Sequence, residues 1–245
     1  MKLTAFTLLV CGLLLQSCKN DELRYGYIRK KKVDSYGQIL DLKKGSLLVM
    51  LHSKQNKIDA LHSLCKDYDA DFVEYQQMKK NKSIINTFRK NFDFCPVYFF
   101  MNSQANELIE KGLHAITFLN DSLQPEPALH PSSEIFFVAE FDNMQMDTAK
   151  YYAGEHLSTQ DTGAWRKPYY YSTSTFGYQA FIIESPLLIQ LKRPFPNFVT
   201  ITETDEKILL VESVIQKINR RLTDFYGEAN EQILAKRFRP YFTGR

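Results

Sequence analysis

The chain has 245 residues, of which 31 are Lys or Arg and 28 are Asp or Glu, giving a formal net charge of +3. This length fits one large domain or two small ones, and we expect a single domain. Because charges of both signs are interspersed, the composition gives no sign of a nucleic-acid partner.

The first eighteen residues have the layout of an export signal. Lys2 precedes an apolar run over residues 5–15, and the run ends in Leu-Gln-Ser-Cys at residues 15–18. A charged start, a short apolar core and small or polar residues before the cut are typical of a secretory signal peptide. The segment resembles the lipobox of bacterial lipoproteins. That resemblance implies removal of residues 1–17, acylation of Cys18, and a lipid anchor in the outer membrane, on its periplasmic face or on the cell surface.

Residues 18–45 are polar, mixed in charge and without sustained periodicity. We interpret them as the lipidated N-terminus and a tether, and we expect a single globular domain over residues 46–245. A basic run at residues 29–32 lies near the predicted anchor, where it either rests against anionic head groups or is simply solvated.

The first half of the domain alternates strand and helix patterns. An unbroken apolar run at 46–51 predicts a buried strand, and three- to four-residue apolar spacing from Ile58 to Phe92 predicts two helices with a break near Asp67 to Asp71. A second strand is predicted at 97–101, then a short helix ending at Gly112, then a third strand at 115–119. This β-α-β-α-β order favours parallel strands.

The second half changes to strand signals with turns between them. Candidate strands lie near 135–141, 150–157, 164–171, 178–183 and 187–192, and a helix with apolar positions from Ile208 to Phe225 follows. The predicted fold class is therefore α+β. Its mixed sheet has a parallel first half, then antiparallel strands and a C-terminal helix.

Cys65 and Cys95 are the two cysteines outside the signal and anchor. Export permits a disulfide between them, but two cysteines are not a framework, so two free thiols are the alternative. A redox role for Cys95 is not indicated, because it lacks a Cys-x-x-Cys partner and a helix N-terminus.

The chain has no Gly-rich phosphate loop, no dinucleotide fingerprint and no G-x-S-x-G elbow. The five histidines lack metal-ligand spacing, so we predict no metal, no cofactor and no catalytic residues. Glu140 and Asp142 share one face of a strand, which is typical of a solvated face. An enzyme remains the alternative: His52 and Asn102 follow the first two parallel strands, where sites form in open α/β sheets.

The densest aromatic segment runs from Trp165 to Tyr178 and includes Tyr169, Tyr170 and Tyr171. Amphipathic rings suit binding of a glycan, a peptide or a protein partner. The same residues are good strand formers that pair across hairpins, so a structural role is the competing interpretation.

Two further segments resemble known groups of proteins. Residues 19–22, Lys-Asn-Asp-Glu, resemble the export signal that some Bacteroidota place on surface lipoproteins. The middle of the chain, about residues 45–143, resembles a family of uncharacterised Bacteroidota exported proteins, and residues 88–100 are the stretch that carries this resemblance. The family supplies no activity. We therefore expect a lipid-anchored envelope protein that binds an envelope partner or an extracellular polymer. The alternatives are a hydrolase-type enzyme with its site at the carboxyl ends of the parallel strands, or a structural envelope scaffold.

Overall fold

The computed structural model describes residues 32–144, 179–201 and 207–242, and confirms the α+β class. The elements are, in chain order, α1 (32–44), β1 (Ser46–Leu51), α2 (Gln55–Ser63), α3 (Asp67–Asn91), β2 (Val97–Met101), α4 (Ala105–Lys111), β3 (Phe136–Asn143), β4 (Gln179–Glu184), β5 (Phe198–Thr200) and α5 (Lys207–Phe242).

The five described strands form one mixed sheet in the order β2-β1-β3-β4-β5. β1 pairs in parallel with both neighbours, so that Val49 lies opposite Phe99 on one side and Ala139 on the other. β4 is antiparallel to both β3 and β5. Every residue of β1 is buried, which explains its unbroken apolar sequence.

One face of the sheet carries the larger core. α1, α3 and α5 pack on it, and their buried apolar side chains meet alternate residues of the strands. Phe88 of α3 is central, with ring contacts to Phe92, Phe99 and Phe181 at centroid distances of 5.5, 5.9 and 5.6 Å. The strand residues turned to this face are Leu47, Val49, Leu51, Phe99, Phe137, Ala139, Phe181 and Ile183.

The opposite face carries a smaller core. Leu48, Met50, Phe100 and Val138 pack there against Leu108 of α4 and against the segment 113–118 that follows it. Burial on both faces requires a helical layer on one side and α4 with its following segment on the other. β1 is thereby fixed as the centre of the parallel part of the sheet.

The predicted separation of α2 and α3 is confirmed, and the chain turns at residues 64–66, just before the expected position. Cys65 adopts a left-handed conformation there, with φ of 54°. Asp67 and Asp69 lie in the first turn of α3 and Arg89 and Lys90 in its last, where each charge sign complements the helix dipole.

The predicted start of the globular domain at residue 46 was too late. Residues 32–44 form α1, whose Tyr36, Ile39 and Leu42 are buried in the larger core. These positions recur every three residues, but the polar and charged residues between them hid the pattern. The tether interpretation is therefore wrong for residues 32–44.

The predicted third strand at 115–119 is also wrong. Leu113–Ala115 is a short 3-10 helix, and only Leu119 makes an isolated antiparallel bridge, to Phe99 and to Pro125. Ile116 and Phe118 instead lie in the smaller core, which explains the apolar run. The third parallel strand is β3, at the position where we expected the antiparallel part to begin.

Two of the other predicted strands, near 150–157 and 164–171, lie outside the described residues. The strand near 178–183 is confirmed as β4. The one near 187–192 is wrong, because Leu188 has φ of 55° and the segment folds back, with Ser185 N donating to Ile189 O and Leu191 N to Ile183 O. β5 was not predicted.

The aromatic stripe at the start of α3 does not face the core. Tyr68, Phe72 and Tyr75 are exposed, because they lie opposite the side of the helix that is buried. The residues on the buried side are Ala70, Gln77, Asn81, Ile84, Ile85 and Phe88. The stripe has helical spacing, but it lies on the other side of the helix. Helical spacing therefore identifies this helix correctly without showing which of its sides is buried.

Replacing Phe88 with Ala should destabilise the fold strongly, because Phe88 is 1% exposed and contacts three other rings. We expect a loss of about 3–5 kcal/mol in the free energy of unfolding, measured by chemical denaturation. Phe72→Ala on the same helix is the matched control. Since Phe72 is 54% exposed, the control should lose less than about 1 kcal/mol. Equal losses for the two variants would contradict the assignment of the buried face.

Candidate functional site

A cleft lies at the carboxyl ends of the three parallel strands. β1 is followed by His52 and Ser53, β2 by Asn102, and β3 contributes Phe141 and Asp142 near its end. Because parallel strands place these ends at one edge of the sheet, residues distant in sequence meet there. The cleft has a volume of about 540 Å³, within the range of roughly 300–1,000 Å³ that small-molecule sites occupy. The described residues that line it are His52, Ser53, Lys54, Gln55, Asn56, Lys57, Gln77, Lys80, Asn102, Ser103, Phe141, Asp142 and Gln179.

The loops after β1 and β2 are joined by one side-chain amide. Asn102 Oδ1 accepts hydrogen bonds from Ser53 N at 3.1 Å and from Ser53 Oγ at 3.4 Å. With its oxygen engaged in this way, the Asn102 amide presents Nδ2 as a donor. Nδ2 makes no hydrogen bond within the part of the chain that the structure describes.

Two buried side-chain amides link α3, which forms one side of the cleft, to the backbone at His52. Asn81 Nδ2 donates to the His52 carbonyl oxygen at 3.0 Å, and Gln77 Nε2 donates to Asn81 Oδ1 at 2.9 Å. A backbone carbonyl can only accept, so the His52 carbonyl fixes the orientation of the Asn81 amide. The Asn81 oxygen in turn fixes the orientation of the Gln77 amide.

The other amide atom of Gln77, Oε1, has no hydrogen-bond partner among the described residues. Gln77 is 6% exposed, and it lines the cleft. An unsatisfied buried acceptor costs about 1–3 kcal/mol. Gln77 Oε1 is therefore a buried acceptor beside the cleft for which the described residues supply no donor.

His52 faces a buried carboxylate. Its Nε2 lies 3.0 Å from Glu140 Oε2, and the two side chains are 32% and 11% exposed. The distance is that of an ion pair, although the angles at Nε2 do not meet hydrogen-bond geometry. Glu140 was expected on a solvated face, and that expectation is wrong because Glu140 is buried, whereas Asp142 is exposed.

Glu184 of β4 lies on the same face of the sheet as Glu140. Glu184 is opposite Val138 in the register, two residues from Glu140 along β3. Burial, and after it the nearby charges of Glu140 and Asp142, raise the pKa of the Glu184 carboxyl to about 7. Its Oε2 is buried and has no partner among the described residues.

The cleft is basic in balance. Lys54, Lys57 and Lys80 line it against a single lining carboxylate, Asp142. The first turn of α2 opens onto the cleft with Gln55, Asn56 and Lys57 and carries no acidic residue. Its positive dipole end therefore adds to the charge of the lysines.

Two of the residues predicted from the sequence line the cleft. His52 and Asn102 were expected at the carboxyl ends of the first two parallel strands, and both lie there. The predicted lipidation site Cys18 and the predicted ligand-binding residues Trp165, Tyr169, Tyr170 and Tyr171 lie outside the described residues.

Cys65 and Cys95 are free thiols, Cys65 exposed and Cys95 buried. They flank α3, whose 25 residues separate its ends by roughly 37 Å, so the two thiols are not neighbours. Burial raises the pKa of the Cys95 thiol to about 12. This fits the interpretation of Cys95 as a small core residue.

Gln77 and Asn81 were missed by sequence reasoning. Their spacing of four residues places them on one side of α3, in the stripe that also buries Ile84 and Phe88. Two amides within a buried helical stripe were the available signal, because buried polar groups require specific partners. The lysines of the cleft gave no comparable signal among 31 basic residues.

No family model, no curated protein and no solved structure matches the chain. Within the described ranges, no group of three or more His, Cys, Asp or Glu side chains is placed to hold a metal ion. None of the described helices is both long and apolar enough to cross a membrane.

Glu184 makes stability depend on pH. The unfolded chain loses this proton near pH 4.5, whereas the folded chain keeps it up to about pH 7. The folded state therefore binds more protons between these values, and wild-type stability falls as the pH rises through this window. Glu184→Gln has no carboxyl to ionise and therefore lacks this loss. As the pH rises from about 5 to about 8, its free energy of unfolding should increase by up to about 3 kcal/mol relative to that of the wild type.

The free energy of unfolding of the two chains at both pH values measures this difference. Glu74→Gln, at an exposed position on α3, is the control and should follow the wild-type trend. A constant difference between Glu184→Gln and the wild type across the window would contradict the buried, proton-retaining state of Glu184.

Proposed function

We propose that this protein is a lipid-anchored cell-envelope binding module whose site is the cleft at the carboxyl ends of β1, β2 and β3. The observation that carries the proposal is the set of oriented polar groups in the cleft. Asn102 presents a donor, because its Oδ1 accepts from Ser53, and the polar side chains of Gln55, Ser103 and Gln179 also line the cleft. Sites that recognise small ligands have a few convergent polar groups of this kind.

The composition of the lining favours a polar ligand. Phe141 is the one apolar side chain among the described lining residues, and the others are amides, hydroxyls, His52, lysines and an aspartate. A ligand that forms several hydrogen bonds and stacks against one ring fits this lining better than an apolar molecule does. Glycans and peptides of the envelope, or of an extracellular polymer, have that chemistry.

The anchor and the location are the second part of the proposal. They depend on the lipobox-like residues 15–18 and on the charged residues 19–22. An anchored domain would bring the cleft to the surface of the outer membrane, on one face or the other. The aromatic segment around Trp165 remains a proposed second contact for the same partner.

Replacing Asn102 with Ala tests the cleft. We expect the detergent-solubilised full chain to bind one class within a panel of envelope oligosaccharides and peptidoglycan fragments, and Asn102→Ala to weaken that binding about tenfold, because a donor and the link to Ser53 are lost. Isothermal titration calorimetry measures the affinity. Asn106→Ala, at an exposed position four residues further on, should change nothing. Unchanged binding in Asn102→Ala, or no binding across the panel, would overturn the proposed site.

A hydrolase remains the second candidate, and the 3.0 Å approach of His52 Nε2 to Glu140 Oε2 favours it. A carboxylate beside an imidazole can hold it in position to accept a proton from water. The same panel discriminates the two functions by mass spectrometry of the products. Fragments that appear with the wild type and disappear with His52→Gln would show hydrolysis, whereas intact oligosaccharides throughout would favour binding alone.

Replacing Cys18 with Ala tests the anchor. The wild-type chain should incorporate an alkyne analogue of palmitate and fractionate with the outer membrane, and Cys18→Ala should lose both, because the acylated thiol is absent. Cys11→Ala, within the apolar run of the signal, is the control and should keep label and location. Labelling that persists in Cys18→Ala would contradict the lipobox interpretation.

A further inference from the structure

We propose that the exposed side of α3 packs against the same side of a second copy of this chain, in an antiparallel two-fold dimer. The inference goes beyond the proposed function, because no residue of the aromatic stripe lines the cleft. The supporting observations are the exposed rings of the stripe, the separation of acidic from basic residues along the helix, and the one orientation of two helices that this separation favours.

α3 has two apolar sides, and the described part of the domain covers one of them. Tyr68, Phe72 and Tyr75 lie opposite the buried side that carries Ala70 and Phe88, and they are 83, 54 and 52% exposed. A helix on the surface of a domain normally has a single apolar stripe, which faces the core. A second, exposed stripe of contiguous rings is typical of an interaction surface.

The area of the stripe fits pairing with a second copy. Since Phe and Tyr side chains bury about 150–250 Å² each, their exposed fractions leave roughly 300–450 Å² of ring surface on each chain. Two copies would remove roughly 600–900 Å² of ring surface from water, and specific interfaces bury about 1,200 Å² or more in total. Leu64 and Met78, which are also exposed, and the charged side chains beside the stripe would supply the remainder.

The charges of α3 are separated along the helix. Residues 67–74 include four acidic residues and no basic one, whereas residues 75–91 include five basic residues and no acidic one. The helix dipole favours this order only in the first and last turns, and Glu74, Lys79 and Lys82 lie further inside. No acidic residue of α3 has a basic residue three or four positions away within the helix, so its own neighbours do not neutralise it.

Several of these charges have no counter-charge in the domain. Asp67 and Arg89 form ion pairs with groups of the same chain. Asp69, Asp71 and Lys82 form none within residues 32–144, 179–201 and 207–242. All three are exposed, so they are available to a partner that carries the complementary charges.

The separation of charge selects the orientation of the pair. A parallel pair of α3 helices would place acidic residues against acidic ones, whereas an antiparallel pair places each acidic half against a basic half. With the two-fold axis between Phe72 and Tyr75, Tyr68 lies opposite Lys79 of the second copy. Lys79 Nζ already lies 5.4 Å from the centroid of the Tyr75 ring, so this cation belongs to the stripe. The same surface serves both copies, which closes the assembly at two.

Sedimentation equilibrium of the full chain in density-matched detergent tests the dimer. We expect a monomer–dimer equilibrium with a Kd of about 1–100 μM, as for a small interface. Phe72→Ala should weaken association about tenfold or more, because a ring at the centre of the interface is lost while the core stays intact. Leu187→Ala, at an exposed apolar position outside α3, is the control and should associate like the wild type.

Two charge-reversal variants test the orientation. Asp69→Lys with Asp71→Lys makes the outer side of α3 wholly basic, and Lys79→Glu with Lys82→Glu makes its middle acidic. Each variant alone should associate about tenfold more weakly than the wild type, because like charges then meet in an antiparallel pair. An equimolar mixture of the two should form a heterodimer about as tight as the wild-type dimer. The reversed charges are on different chains, so this recovery cannot come from charge balance within one helix.

The outcomes decide the inference without affecting the cleft. A wild-type chain that stays monomeric up to about 100 μM would overturn the dimer, as would association that is unchanged in Phe72→Ala. Species larger than a dimer would contradict the closed two-fold pair, and a mixture of the charge variants that stays monomeric would contradict the antiparallel orientation. Asn102→Ala with the envelope panel tests the proposed function separately in each case.

Discussion

The fold depends on β1 being the centre of a parallel pairing. β1 is hydrogen-bonded on both edges, to β2 and β3, and is buried on both faces. Polar residues in such a strand, or a displacement of it, would disturb the cores on both faces of the sheet at once. Its direction is shared by its neighbours, so the three carboxyl ends must open at one edge of the sheet. The cleft is a direct consequence of that pairing.

The interior around the cleft is more polar than stability alone would favour. α3 uses two positions of its buried side for amides, and the sheet buries the carboxyls of Glu140 and Glu184 on neighbouring strands. Buried polar groups without full partners cost free energy, and Gln77 Oε1 and Glu184 Oε2 are such groups among the described residues. Local rules are broken in this way mainly where a protein has a site, which supports placing one here.

The sequence predicted the parts of the fold that have strong local signals. β1 and β2 are short apolar runs bounded by breakers, α2 and α3 have helical spacing, and the turn between them follows from the aspartates that begin α3. α1 was missed, because three buried residues within a charged segment resemble a tether until the packing partners are known. The run 115–119 was predicted to be a strand, because a short apolar segment can be buried either as a strand or as a loop and its sequence does not distinguish the two.

The position of the candidate site could be predicted from the sequence, but only some of its residues could. The rule that ligands bind beyond the carboxyl ends of parallel strands pointed to His52 and Asn102. Gln77 was missed, because its spacing from Asn81 becomes informative only once the buried side of α3 is known. The aromatic stripe of Tyr68, Phe72 and Tyr75 also has helical spacing, yet it lies on the exposed side of α3.

Hydrogen exchange with mass spectrometry tests most directly whether this cleft is the binding site. The full chain would be compared with and without a saturating concentration of the envelope fragment that binds most tightly in the panel, following backbone amides in peptides that cover residues 52–57, 102–104 and 68–75. We expect slower exchange at 52–57 and 102–104 and no change at 68–75, because the first two segments line the cleft and the third carries the exposed stripe. Protection confined to 68–75, or no protection at 52–57, would contradict the account.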